Sequence, residues 1–127
     1  MRATEHQRLA ADPGVSAWVT ASAGTGKTHV LTDRVLRLLL QGCAPERILC
    51  LTFTKAAAAE MANRLHQRLG AWAVAGNGEL GQALADLSGS AAAPEAMNLA
   101  RRLFARVLDT PGGLKVQTIH SFCEALL

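Results

Sequence analysis

Eight consecutive residues, Ala21-Ser22-Ala23-Gly24-Thr25-Gly26-Lys27-Thr28, carry the most specific chemistry in the sequence. A triphosphate is held by backbone amides turned inward around its oxygens. Gly24 and Gly26 permit the backbone geometry that such a cradle requires. A helix opening at Lys27 adds its dipole and its unpaired first amides. Lys27 can reach the β- and γ-phosphates, and the Thr28 hydroxyl is of the type that ligates Mg²⁺. The general pattern places glycine at the first position, where this chain has Ala21. By pattern alone a plain strand–turn–helix remains open. The apolar strand expected before the loop and the amphipathic helix after it favour phosphate binding.

The elements that must position this loop can be read outward from it. Thr4 and Gln7 resemble a capping box that opens a short helix ending at Asp12-Pro13-Gly14. Val15 to Ala21 reads as a strand. A helix is expected from about Lys27 to Gln41, with Leu31, Val35, Leu38 and Leu39 inward, Asp33, Arg34 and Arg37 outward, and Gly42 as its stop. Arg47 to Phe53 reads as a second strand. Its run Ile48-Leu49-Cys50-Leu51 is continuously apolar, as where both faces of a parallel sheet are covered. Thr54 can cap a third helix to about Leu69, burying Ala58, Met61, Ala62, Leu65 and Leu69. A short helix near Glu79 to Leu87 is expected. Another starts at Pro94, with Leu99, Leu103, Phe104 and Val107 inward, and ends before Pro111. Lys115 to Thr118 reads as a short strand and Ile119 to Leu127 as a helix. Strands alternating with helices imply an α/β fold with a parallel sheet.

The bulk properties agree with one modest domain. Of 127 residues, half are apolar and 18% are charged, the composition of a folded chain. A net charge of +3 suits a polyanionic partner without requiring one. Cys43, Cys50 and Cys123 are scattered among apolar neighbours, with no CxxC pair. They read as reduced core thiols of a cytoplasmic protein. No secretory signal and no membrane-length apolar run is visible.

The loop with its first-position alanine resembles that of superfamily 1 helicases of the UvrD/Rep type. Three further segments occur in that family's order. Gln7 lies at the position of the family's adenine-reading glutamine, whose amide offers a donor and an acceptor together. Thr52-Phe53-Thr54-Lys55-Ala56-Ala57-Ala58-Ala59-Glu60-Met61 resembles the second signature, a strand-to-helix turn that touches single-stranded DNA. There Thr54 and the helix start can hold a backbone phosphate, Lys55 adds charge and Phe53 can stack on a base. Standing alone, Phe53 would read as a core aromatic and Lys55 as a solvated charge. Val116-Gln117-Thr118-Ile119-His120-Ser121-Phe122-Cys123 resembles the next DNA-contact signature, in which His120 and Ser121 meet the DNA backbone. A lone histidine is more often a structural hydrogen-bonder. His6, His29 and His66 fall outside these roles, although His29 lies close to the expected nucleotide.

Within the superfamily, Ser16-Ala17-Trp18-Val19, Leu69-Gly70-Ala71-Trp72-Ala73 and the stretch Thr110 to Cys123 resemble the AddA subunits of bacterial double-strand-break repair helicase–nucleases. That resemblance implies an ATP- and Mg²⁺-dependent DNA helicase with ATP hydrolase activity, acting on single- and double-stranded DNA beside an AddB-type partner. Residues 1–127 would form the first part of its first RecA-like lobe, a partial P-loop NTPase domain with 66–113 as a helical insertion. The cofactor-binding residues would be Gln7, Ala21, Ser22, Ala23, Gly24, Thr25, Gly26, Lys27 and Thr28. Lys27 and Thr28 would be the catalytic pair, with Thr28 on Mg²⁺. Such a motor also needs an acidic pair at a strand end and arginines from a second lobe. Asp33, Asp86 and Asp109 lie instead in or at the ends of helices. The segment alone is therefore expected to be truncated, inactive and poorly stable. The rival readings are a UvrD/Rep-type helicase without a nuclease, a self-contained phosphate-loop kinase, and a non-catalytic remnant.

Overall fold

The computed structural model describes residues 27–110 and 113–126, with side chains from His29 onward. The expected N-terminal helix and the strand Val15 to Ala21 lie outside the described residues. The first described element, α1, runs Lys27–Leu40. It stops as its sequence implies: Gly42 takes a φ of 93°, its N–H donates to the Leu39 carbonyl, and the Cys43 N–H reaches back to Leu38. This is the paired closure that glycine permits at a helix end. A 3₁₀ turn at Pro45–Arg47 leads into strand β1, Leu49–Thr52.

Helix α2 spans Lys55–Val74, with Thr54 as its N-cap. It passes the expected end at Leu69 and continues for another turn. Gly70 sits opposite Phe104 of a later helix, at ordinary van der Waals range for any added Cβ. Burial of Trp72 beyond it offsets the roughly 1 kcal/mol that a helical glycine costs. Helices α3, Asn77–Ser88, and α4, Pro94–Asp109, follow. Gly89 closes α3 in the left-handed conformation, and Pro94 opens α4 in its first turn. Arg101 of α4 donates to the Ala75 carbonyl at 2.7 Å and to the Asn77 side chain, tying down the turn between α2 and α3. The chain then enters β2, Lys115–Thr118, and α5, Ile119–Leu126.

The two strands pair in parallel, Leu49 opposite Lys115 and Thr52 opposite Thr118. The class is α/β, a short parallel sheet with flanking helices. The core lies between α1, α2, α3, α4 and one face of the sheet. Leu36, Leu39, Leu65, Leu69, Leu80, Leu103 and Val107 are fully buried in it.

Several expectations are corrected. In α1 the inward stripe is Thr32, Val35, Leu36 and Leu39, with Asp33 also buried, whereas Leu31 is 44% exposed. The helix is turned by about one residue because Arg68 and His29 supply the buried carboxylate with partners. In α2 the closed-off positions are Met61, Leu65, Leu69 and Trp72, while Ala58 and Ala62 are half-buried. In α4, Ala100 joins Leu103 and Val107, with Leu99 and Phe104 at the margin. The expected double cover of β1 is not found: Leu49 and Leu51 are exposed, and only the face bearing Cys50, Thr52, Val116 and Thr118 meets the helices among the described residues. The cysteines are free as expected, but Cys43 and Cys50 are half-buried and Cys123 is exposed. Among the described residues, no helix is long and apolar enough to cross a membrane.

Candidate nucleic-acid interface

The parallel ladder brings two distant segments to one place. Thr52 and Thr118 are its last partners, so Phe53-Thr54-Lys55 and Ile119-His120-Ser121 leave the sheet side by side at its carboxyl end. In α/β sheets this end is where ligands bind. Hydrogen bonds between the hydroxyls and the backbone hold the exits. The Thr52 hydroxyl lies 3.0 Å from the Thr54 carbonyl oxygen and 3.4 Å from that of Gln117.

Each exit opens a helix in the same way. The Ala57 N–H donates to Thr54 Oγ1 at 3.0 Å, and the Ser121 N–H donates to Thr118 Oγ1 at 3.1 Å. A threonine oxygen thus satisfies one of the orphan donors of each first turn. Thr54 spends its oxygen on this cap and keeps its hydroxyl proton to offer. The Thr118 hydroxyl donates to Ser121 Oγ at 2.9 Å, which leaves the Ser121 proton free for an outside acceptor. The reading of Phe53 as a core aromatic is excluded, because its side chain is 89% exposed. Lys55 and His120, the first residue of α2 and the second of α5, are both exposed.

The five residues Phe53, Thr54, Lys55, His120 and Ser121 are therefore gathered at one edge. Thr52 and Thr118, which position them, were not singled out from the sequence. The only signal for them is the three-residue spacing from Thr118 to Ser121, which matches that from Thr54 to Ala57.

Charge is distributed to match. The first turns of α1, α2 and α5 contain no acidic residue, whereas α3 and α4 begin with Glu79 and Glu95. An acid in the first turn is the ordinary complement to the helix dipole. The helices that open at the sheet exits, and the helix that opens at Lys27, leave that positive end uncompensated by any acid in the first turn.

Of the expected nucleotide-binding residues, Gln7, Ala21, Ser22, Ala23, Gly24, Thr25 and Gly26 lie outside the described residues. Lys27 and Thr28 are described only as the start of α1. His29 points along that helix to Asp33, with Nε2 3.4 Å from Oδ2. No cluster of His, Cys, Asp and Glu suited to a metal occurs among the described residues. The donor set that would hold Mg²⁺-ATP is compatible with what is described. A helix begins at Lys27 with no anion in its first turn to oppose phosphate.

The pattern of the UvrD/REP helicase N-terminal domain matches residues 3–127. Similar curated proteins are named as ATP-dependent helicase/nuclease subunits of the AddA type. That of Lactobacillus gasseri is 46% identical over 65 residues, covering 51% of this chain and 5% of the relative. That of Oenococcus oeni is 44% identical over 82 residues, covering 63% and 7%. That of Latilactobacillus sakei is 34% identical over 121 residues, covering 94% and 12%. The chain therefore spans only a small part of the length of these relatives. No solved structure matches. With the match running through both strand-end segments and the helix that opens at Lys27, the chain belongs to the UvrD/REP helicase N-terminal domain family.

Proposed function

We propose that this chain is the N-terminal ATP-binding segment of an ATP-dependent DNA helicase. We place it in a helicase/nuclease subunit of the AddA type, which serves double-strand-break repair in the cytoplasm beside an AddB-type partner. The observation that carries the DNA reading is the Thr52–Thr118 register, which places Phe53, Thr54, Lys55, His120 and Ser121 at one sheet edge. Two helix starts free of acids, two available hydroxyl protons and an exposed aromatic ring suit a single strand. The amides and hydroxyls take backbone phosphates, and Phe53 stacks on a base.

For the nucleotide, Gln7 reads adenine and the amides from Ala21 to Gly26 cradle the phosphates. Lys27 neutralises charge on the β- and γ-phosphates, and the Thr28 hydroxyl is the metal-facing ligand. Bound Mg²⁺ would supply charge neutralisation across the β- and γ-phosphate oxygens. The chain forms the first part of a RecA-like lobe, with residues 66–113 inserted within it. The spacing supports an insertion. A parallel crossover needs only about a dozen residues, whereas α2, α3 and α4 all lie between β1 and β2.

The deciding experiment is ATP turnover by the full-length polypeptide carrying this chain, with and without single-stranded DNA. Stimulation by DNA that Lys27→Ala abolishes is the expected result. Turnover indifferent to DNA would favour a self-contained phosphate-loop kinase.

A further inference from the structure

Away from the sheet edge, charged side chains gather in a cleft of about 750 Å³ between α1, α2 and α3, lined by His29, Asp33, Arg64, Gln67, Arg68 and Asp86. On its α1 wall the Asp33 side chain is only 8% exposed, and its two oxygens have different partners. Arg68 Nη1 sits 3.0 Å from Oδ1, and His29 Nε2 lies 3.4 Å from Oδ2.

A buried ion pair is seldom a better source of stability than apolar packing of the same volume. Here an apolar alternative stands in the same helix. Leu31, Val35, Leu38 and Leu39 form a stripe that would pack α1 with Leu31 inside and Asp33 outside. The observed stripe is Thr32, Val35, Leu36 and Leu39, with Leu31 turned out. The two stripes share Val35 and Leu39, so hydrophobicity separates them poorly. What distinguishes the observed one is the Asp33–Arg68 pair, which joins α1 to α2 across 35 positions of sequence.

Successive residues of a helix are about 100° apart around its axis. Turning α1 by one residue would therefore redirect every side chain of its first turn by about that angle. Lys27 and Thr28 open that same helix. We infer that Arg68, acting through Asp33, is a positioning residue. It pins the rotational register of α1, and so sets the direction in which the helix presents Lys27 and Thr28 to the nucleotide. This inference rests on the nucleotide role proposed above.

The test uses the full-length polypeptide and two variants, Arg68→Leu and Arg68→Lys. Three quantities are read: kcat/KM for ATP with single-stranded DNA present, affinity for a single-stranded oligonucleotide without nucleotide, and the thermal midpoint. Arg68→Leu should lower kcat/KM for ATP at least tenfold while oligonucleotide affinity stays within twofold of wild type. Arg68→Lys, which keeps the charge on Asp33, should stay within threefold in both. A kcat/KM unchanged in Arg68→Leu would overturn the inference, whatever happens to the thermal midpoint. An equal loss of nucleotide and oligonucleotide function would also overturn it, since that marks general loosening of the fold. If the wild-type polypeptide shows no DNA-stimulated turnover, the proposed function itself fails and takes this inference with it.

Discussion

Thr52 and Thr118 face each other as the last partners of a parallel ladder, and the chain leaves both in the same direction. A parallel pair must send both exits to one edge, where an antiparallel pair would send them to opposite edges. This single relationship turns two segments far apart in sequence into one candidate surface. It also explains why the adjoining caps, Thr54 and Thr118, are alike in geometry.

The caps are expected to matter for stability. Thr54→Ala leaves the Ala57 N–H without its side-chain acceptor and should cost about 1 kcal/mol, with Thr54→Ser close to wild type. Thr118→Val should cost a similar or larger amount, because the Thr118 hydroxyl is buried and serves Ser121 twice. Urea unfolding midpoints at constant slope would measure both.

Phe53 should separate stability from binding. Its ring is almost wholly exposed, so Phe53→Ala should change stability by no more than about 0.5 kcal/mol. The same change should weaken single-stranded DNA binding by about 1–3 kcal/mol if the ring stacks on a base. Lys55→Ala should reduce the salt dependence of that binding by about 0.7 in the logarithmic slope, the share of one phosphate contact. Fluorescence anisotropy with a labelled oligonucleotide over a range of salt reads both effects.

The register of α1 makes opposite predictions for two leucines of one helix. Leu36 is fully buried, so Leu36→Ala should cost about 2–5 kcal/mol. Leu31 is largely solvent-facing, and Leu31→Ala should cost under about 1 kcal/mol. Equal costs from chemical denaturation would mean that the helix packs the other way round.

Cys50 should leave a signature at alkaline pH. Burial raises its thiol pKa above the ordinary value of 9.0, because desolvation penalises the thiolate. The unfolded chain therefore loses this proton first. The Cys50 contribution to stability is complete below about pH 9 and declines as pH rises through the folded value. Unfolding midpoints measured from pH 7.5 to 10.5 should fall less steeply in Cys50→Ala than in wild type. Alkylation at pH 8 should reach the exposed Cys123 before Cys50.

The local elements were largely legible in the sequence because their causes are local. Gly42 and Gly89 each supply a left-handed residue that ends a helix, Pro94 opens one, and Thr54 with its three-residue spacing caps one. The strand Lys115–Thr118 was found at its observed bounds. The family, too, was carried by short runs of residue type and order that need no coordinates.

Tertiary structure decided what depends on residues distant in sequence. Helix α2 runs past Gly70 because Trp72 finds a buried seat, and no local pattern records that seat. Asp33 is inside rather than outside because Arg68, on another helix, neutralises it; helical periodicity cannot weigh a charge that is compensated from elsewhere. The exposure of Leu49 and Leu51 likewise follows from which sheet face the helices cover, not from the apolar run itself. Residue types and order determined the chemistry and family of this chain. Which side chains share one surface was settled only by a parallel strand pairing and by a helix turned to bring its aspartate to an arginine.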